Sequence, residues 1–337
     1  MEGRLELDWL ESPSLAGNPL GDPTRRPVYL YRPPGCRPGL PAVYFLHGFT
    51  GSAQSWVGFQ PFGLTVPERL DALVAGGAVP PAVGVFVDGW TALGGSQWTN
   101  SPAVGRYGDY LARDVVGFVE RALGTSSAAA ARAVVGKSSG GYGALAAGRD
   151  HPEVFGLVAS HAGDAGFEYC YLPDFPKVAG PLLGTTPAAW LDAMRRRARE
   201  TKLRGDDHVV LNVLAMAAAY SPCPDPSAAP PGSGGFELPF EPETARLRPD
   251  VWARWLACDP VRFVAERIDA FRRLGGVWLD CGTRDEFNLR WGARMVAEAL
   301  RRGGVDVVHE EFEDGHRDIN YRFDRSLAWL LPRLARR

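Results

Sequence analysis

Residues 133–148 read AVVGKSSGGYGALAAG, and this stretch decides the fold. The β-branched run at its start predicts a buried strand, and the small residues over 142–148 predict a helix. Between them, 136–140 matches the pattern G-x-S-x-G, in which a strand turns sharply into a helix and exposes a serine hydroxyl. We therefore predict that Ser138 is a nucleophile at a helix N-terminus, where the helix dipole favours developing negative charge.

Two other interpretations of this stretch are weaker. The letters GKS resemble the end of a phosphate-binding loop, but that loop needs a glycine five positions before Gly136, where the chain has Ala131. Ser139 could be the nucleophile instead, but the flanking position that needs a glycine would then be Lys137. The sequence therefore favours Ser138.

Apolar runs alternate with amphipathic stretches on both sides of this turn. Strands are predicted at 28–31, 42–46, 83–87, 133–135, 156–159, 277–280 and 305–308, and helices at 107–123, 142–148, 289–302 and 323–334. Such alternation needs right-handed crossovers and gives a mostly parallel sheet that is covered on both faces. The predicted fold class is α/β, with a doubly wound sheet.

One region interrupts this alternation. Between 161 and 260 there is no strand pattern, and helical patterns at 188–202, 209–220 and 249–257 surround proline-rich loops at 222–226 and 230–235. We interpret 161–260 as a helical cap inserted into a core made of 1–160 and 261–337. The cap is expected over the carboxyl edge of the sheet, where ligands bind in open α/β sheets.

The loop LHGFTGS at 46–52 directly follows a predicted strand. In hydrolases with a nucleophile at such a turn, this loop supplies one backbone N–H to the oxyanion, and the residue after the serine supplies the other. The donors here are predicted to be Phe49 and Ser139. His47 is expected to support the loop, because the catalytic base comes late in the chain in this fold.

The acid and the base are expected in that order after the serine. Asp285 lies in CGTRDEF, directly after the predicted strand at 277–280, and His316 lies in EDGH, after the last strand. A neutral imidazole takes the serine proton while a carboxylate holds its tautomer. Glu286 is the competing acid beside Asp285, and we prefer Asp285.

Composition narrows the classes of protein that remain. The chain has 337 residues and a formal net charge of −2, which favours neither nucleic acid nor an anionic membrane as partner. Its charged N-terminus shows no secretory signal, and five scattered cysteines indicate thiols in a reducing compartment. We expect a cytoplasmic protein without metal or cofactor. A homo-oligomer is compatible with the sequence, which gives no oligomeric state.

These motifs, in this order, resemble the putative-esterase family of α/β hydrolases, which includes esterase D, enterochelin esterases, feruloyl esterase domains and antigen 85 mycolyltransferases. The resemblance rests on HGFTG at 47–51, WTNS at 98–101, YGDY at 107–110, the turn at 136–140, CGTRD at 281–285 and DGH at 314–316. It implies the α/β-hydrolase fold, a triad of Ser138, Asp285 and His316 with the same backbone donors, and no cofactor or metal. It does not cover the cap.

The expected function is hydrolysis of a small-molecule carboxylic ester through an acyl-enzyme. The aromatic residues of the cap fit ordinary core packing of a helical subdomain. They also fit a pocket for aryl or short-to-medium acyl esters, which we expect to be lined by His161, Trp98, Phe167 and Tyr169. Acyl transfer to an alcohol by the same triad is the first alternative. Amide cleavage and a binding protein on a hydrolase fold are further alternatives, since fold alone does not decide function.

Overall fold

A computed structural model describes residues 1–225 and 229–334. Within them an eight-stranded sheet has the order β1-β2-β4-β3-β7-β8-β9-β10. The strands of this sheet are β1 (Arg4–Glu11), β2 (Arg25–Arg32), β3 (Ala42–Leu46), β4 (Val83–Val87), β7 (Arg132–Lys137), β8 (Leu157–His161), β9 (Val277–Gly282) and β10 (Val307–Phe312). The short pair β5 (Asn100–Ser101) and β6 (Gly105–Arg106) stands apart from it.

The six strands from β4 to β10 in this order run parallel, and β1 and β2 are antiparallel to their neighbours. Leu46 pairs in register with both Val87 and Gly136. Because the carboxyl ends of parallel strands share one edge, the loops after β3, β7, β9 and β10 meet there. This is the α/β-hydrolase fold, as predicted.

Helices cover both faces of the sheet. They are α1 (Val66–Ala75), α2 (Tyr107–Asp109), α3 (Val116–Leu123), α4 (Ser139–Asp150), α5 (Phe167–Cys170), α6 (Phe175–Ala179), α7 (Pro187–Glu200), α8 (Asp207–Tyr220), α9 (Pro249–Cys258), α10 (Pro260–Glu266), α11 (Ile268–Arg272), α12 (Leu289–Arg302) and α13 (Arg322–Leu334). Side chains alternate between the faces along each strand. Phe45 therefore packs towards α1 and α13, and Tyr44 packs towards the opposite layer.

Several elements were not predicted from the sequence, among them β1 and α1. β1 lies at the edge of the sheet and is largely exposed, although Leu5, Leu7 and Trp9 alternate with charged residues as in a strand. α1 begins with a capping box in which Thr65 and Glu68 satisfy each other's backbone amides. The predicted helix at 107–123 is present, but it changes to a π-helix over Tyr110–Val115.

The connection between β8 and β9 is helical, with the predicted helices present as α7, α8 and α9. The predicted loops at 222–225 and 230–235 both lie between α8 and α9. Pro226 of the first predicted loop lies outside the described residues. α10 packs against α4 and α12, which cover the sheet. We call the connection between β8 and β9 the insertion. No helix in the described ranges is long and apolar enough to cross a membrane.

Candidate active site

The turn between β7 and α4 is forced by close backbone packing. Ser138 has φ 58° and ψ −129°, a backbone conformation that residues other than glycine rarely adopt. A Cβ at Gly136 would lie 2.1 Å from the Gly140 carbonyl oxygen, and one at Gly140 would lie 1.9 Å from the Leu46 carbonyl oxygen. Both glycines of the G-x-S-x-G pattern are therefore required sterically.

The structure brings Ser138, His316 and Asp285 together. The Ser138 Oγ lies 3.0 Å from His316 Nε2, and His316 Nδ1 lies 2.8 Å from Asp285 Oδ2. Both His316 and Asp285 are buried. The three side chains thus form a continuous hydrogen-bonded chain from the turn after β7 to the loops after β9 and β10.

Local contacts hold the acid and the base in place. Asp285 Oδ1 accepts hydrogen bonds from the backbone amides of Phe287 and Leu289, at 2.9 and 3.3 Å. Glu286 Oε2 accepts one from the His316 amide at 2.7 Å, and this bond lowers the pKa of Glu286. The two neighbouring carboxylates therefore have different partners: Asp285 contacts the imidazole, and Glu286 contacts only the His316 backbone.

The loop after β3 lies against the nucleophile. A Cβ at Gly48 would lie 3.1 Å from the Ser138 Cβ, and the next residue, Phe49, lines the same cavity as Ser138 and Ser139. The Thr50 amide donates to the Gly94 carbonyl at 2.7 Å. Phe49, in the loop after β3, and Ser139, the first residue of α4, therefore line the same cavity as the serine, and their amides stay the predicted oxyanion donors.

His47 supports this loop from beneath. Its Nε2 accepts a hydrogen bond from the Gly89 amide at 2.9 Å, so the proton is on Nδ1, which donates to the Gly48 carbonyl at 2.9 Å. Burial lowers the pKa of His47, which keeps the ring neutral in this role. The Trp98 indole N–H donates to the His47 carbonyl at 3.1 Å.

A cavity of about 200 Å³ opens on Ser138 from the side of the insertion. The core and the insertion both contribute to its wall, which consists of Phe49, Ser138, Ser139, Asp164, Cys170, Tyr171, Asp174, His208, Val209, Asn212, Phe287, Leu289, His316 and Arg317. We call it the main cavity. Eight of these fourteen residues are polar or charged, and five are aromatic or aliphatic: Phe49, Tyr171, Val209, Phe287 and Leu289.

A second hollow of about 290 Å³ reaches the same serine from another side. Its wall shares Phe49, Ser138 and His316 with the main cavity and adds His47, Gly48, Gly51, Ser55, Trp56, Lys137 and Asn320. We call it the rear cavity. Burial lowers the pKa of Lys137, the lysine in this wall. The Ser138–His316 pair therefore lies between two spaces.

None of the four residues predicted for the substrate pocket lines the main cavity. Trp98 packs tightly between Gly89 and Gly143 beneath the loop after β3, where it is 3% exposed. Phe167 is fully buried, with its ring 4.8 Å from the Tyr171 ring in the aromatic core of the insertion. Tyr169 is largely exposed and faces a groove beside α12.

His161 was also placed wrongly by the sequence. It is the last residue of β8 and is completely buried, with Nδ1 2.8 Å from Asp280 Oδ1 and Nε2 2.9 Å from Ser326 Oγ. In a strand, His161 shares a face with Ala159, which points away from α4. Ser326, His161 and Asp280 therefore form a second chain with the same connectivity, which is sealed inside the protein.

Most residues in the wall of the main cavity lie outside the predicted site residues. Asp164 follows the end of β8 by three residues, so the shared edge of the parallel strands was a usable signal for it. Tyr171, His208 and Asn212 gave no such signal. They come from the segment after α5 and from α8, whose positions depend on how the insertion packs.

The fold and the chain order of these groups define an α/β hydrolase. The chain belongs to the family described as "Putative esterase", whose model matches residues 23–317. As a member of that family it is a carboxylic ester hydrolase. No curated protein sequence matches the chain.

Solved structures with the same fold include several esterases. A ferulic acid esterase superposes with a TM-score of 0.61 at 18% identity, over 98% of both chains. A CE1 ferulic acid esterase from Anaeromyces mucronatus, in complex with ferulic acid, has a TM-score of 0.57 at 15% identity, over 98% of this chain and 92% of that one. An S-formylglutathione hydrolase from Agrobacterium tumefaciens has a TM-score of 0.57 at 16% identity, over 99% and 96%. At these identities the likeness concerns the fold.

Proposed function

We propose that the chain hydrolyses carboxylic esters through a covalent acyl-enzyme on Ser138, with His316 as base and then acid, and Asp285 as its orienting carboxylate. The observation that carries the proposal is the unbroken hydrogen-bonded chain from Ser138 Oγ through the imidazole to Asp285 Oδ2. Serine alone is a weak nucleophile, and it is activated by an adjacent base that a third group holds in position.

The proposed reaction has two matching halves. Ser138 Oγ attacks the ester carbonyl while His316 Nε2 takes its proton, and the imidazolium then protonates the leaving alcohol. Water repeats the attack on the acyl-enzyme, with His316 again acting first as base, and releases the acid and free Ser138. In each half, the amides of Phe49 and Ser139 donate to the oxyanion.

The size and lining of the main cavity favour a small group on the part of the ester that binds there. Its volume of about 200 Å³ and its Phe49, Tyr171 and Phe287 lining suit an aryl or a short-to-medium aliphatic group. The residues of 161–260 act as a cap in this proposal, because much of the cavity wall comes from them. Ferulic acid, which one structural neighbour binds, is one acyl group to test.

Acyl transfer is the second candidate, and the rear cavity is the observation that favours it. Ser138 and His316 line this space as they line the main cavity, and most of its other wall residues differ from those of the main cavity. An alcohol held there could replace water as the acceptor for the acyl group. Product analysis with a short alcohol added to the reaction separates transfer, which yields a new ester, from hydrolysis, which yields only acid.

The test compares wild type with Ser138→Ala and Ser139→Ala on p-nitrophenyl acetate, butyrate and octanoate and on methyl ferulate. We expect Ser138→Ala to fall to background while folding normally. Ser139→Ala keeps its backbone amide and is expected to lose at most about tenfold. Activity that survives in Ser138→Ala and disappears in Ser139→Ala would refute the nucleophile assignment.

A further inference from the structure

Asp164 is a buried carboxylate in the wall of the main cavity that the proposed mechanism does not use. It is 7% exposed, and it lies beside Ser139, whose hydroxyl donates to Asp164 Oδ2 at 3.0 Å. Tyr171 Oη donates to the same oxygen at 2.8 Å, and Gln97 Nε2 does so at 3.2 Å. All three neutral donors converge on one oxygen of the carboxylate.

The other oxygen, Oδ1, accepts no hydrogen bond from residues 1–225 or 229–334. Within the same ranges, no lysine or arginine forms an ion pair with Asp164. Aspartate is rarely this buried unless it is paired with a cation, because an uncompensated buried charge is costly. Burial accordingly raises the pKa of Asp164.

A second carboxylate in the same wall provides a contrast. Asp174 also lines the main cavity, but its Oδ1 lies 2.8 Å from Lys177 Nζ, so its charge already has a partner. The other titratable groups in this wall are Cys170, Tyr171, His208, His316 and the exposed Arg317, and a positive charge on His316 would favour the ionised form of Asp164. No lysine or arginine of the described chain pairs with Asp164, whereas Lys177 pairs with Asp174.

Resting on the proposed function, we propose that the main cavity binds a protonated amine carried by the substrate, with Asp164 Oδ1 as its acceptor. The ammonium would supply both the missing hydrogen-bond donor and the missing positive charge. Phe49, Tyr171 and Phe287 surround the same space, and aromatic faces attract cations. The substrate class is thus a small ester with an amino group on the part that enters this cavity.

The test uses three short compounds that differ mainly in charge: butylammonium, butyramide and butyrate. Each is measured as an inhibitor of p-nitrophenyl acetate hydrolysis at constant ionic strength near pH 7, where a primary amine is protonated. We expect butylammonium to bind wild type at least tenfold more tightly than butyramide, and butyrate to bind most weakly. Asp164→Asn should reduce the preference for butylammonium to about one, and the matched control Asp174→Asn should retain it.

Equal inhibition of wild type by butylammonium and butyramide would overturn the proposal, as would loss of the preference in Asp174→Asn but not in Asp164→Asn. If wild type fails to hydrolyse p-nitrophenyl acetate, the proposed function fails instead. Calorimetric titration of butylammonium into wild type and into both variants then tests the amine site without catalysis. A folded Asp164→Asn that binds butylammonium as tightly as wild type overturns it in that assay.

Discussion

Gly140 packs so closely on Leu46 that a Cβ at position 140 would lie 1.9 Å from the Leu46 carbonyl oxygen. We predict that Gly140→Ala pushes β3 away from the turn and destabilises the fold by about 1–3 kcal/mol, the usual cost of overpacking. Because His47 follows Leu46 directly, the oxyanion loop moves as well, and a 1 Å displacement can cost about 100-fold in rate. Urea unfolding and p-nitrophenyl acetate hydrolysis measure the two effects.

Gly180→Ala is the matched control, since nothing lies within 4 Å of a Cβ there and its φ is −57°. It should change neither stability nor rate appreciably. Unaltered stability and rate in Gly140→Ala would show that the backbone can relax around the turn.

Asp285 and Glu286 are adjacent carboxylates, and substituting each in turn distinguishes their proposed roles. In Asp285→Asn, the amide N–H₂ would face the His316 Nδ1–H, so the imidazole would have to adopt the wrong tautomer. We expect kcat to fall by about 10³–10⁴-fold with a smaller change in KM. Glu286→Gln can still accept from the His316 amide and should lose no more than about tenfold. Steady-state kinetics that rank the two in reverse would reassign the acid.

Trp98 supports the oxyanion loop through one hydrogen bond, and Trp98→Phe removes that bond while leaving an aromatic ring. The His47 carbonyl then lacks its buried donor, which costs about 1–3 kcal/mol of folding stability. We expect a lower kcat with little change in KM, because the loop acts on the transition state. Trp9→Phe, at an exposed position on β1, is the control. A changed KM with an unchanged kcat would contradict this role.

Ser326 belongs to the sealed chain with His161 and Asp280, so its removal should affect stability and not catalysis. Ser326→Ala leaves His161 Nε2 without its partner and should cost about 1–3 kcal/mol in the free energy of unfolding. Hydrolysis by the folded fraction should stay at the wild-type level. A fluorophosphonate probe, with labelled peptides read by mass spectrometry, should modify Ser138 and leave Ser326 untouched.

The stability of the chain should depend on Asp164 in a pH-dependent way. Burial raises the pKa of Asp164 in the folded state above its ordinary value of 3.8, so the folded chain binds this proton more tightly than the unfolded chain does. The contribution of Asp164 to stability is therefore most favourable below about pH 4 and declines as the pH rises through the folded pKa. The stability of Asp164→Asn relative to wild type should therefore increase as the pH rises above about 4, which urea unfolding at several pH values between about 4 and 8 measures. A difference that is constant across this range would rule the effect out.

The loops that carry the proposed triad could be predicted because they depend on local patterns and on one topological rule. The strand–turn–helix around Ser138 is a short motif, and Asp285 and His316 each follow a strand whose carboxyl end must share an edge with β7. The same rule, combined with strand alternation, would have placed His161 correctly, since its side chain shares a face with Ala159.

The cavity wall could not be predicted in the same way. Phe167 and Tyr169 lie two residues apart on α5, yet one is fully buried and the other is 48% exposed. A single turn of helix gives too few residues for the apolar periodicity to show which side faces the core. The burial of α5 and the placement of α8 result from long-range packing of the insertion. The aromatic composition of this region does not show which of its side chains face the cavity.

Ser138 and His316 line both the main and the rear cavity, so in the proposed reaction groups held in the two spaces would meet at the same serine. An acyl group that occupies the main cavity would leave the rear cavity free for the acceptor, water or an alcohol. The molecule held in the rear cavity would then determine whether the acyl group is hydrolysed or transferred. In the proposed reaction, substitutions at Lys137 and Asn320, which line the rear cavity, should therefore change the balance between hydrolysis and transfer, whereas substitutions in 161–260 should change which ester is accepted.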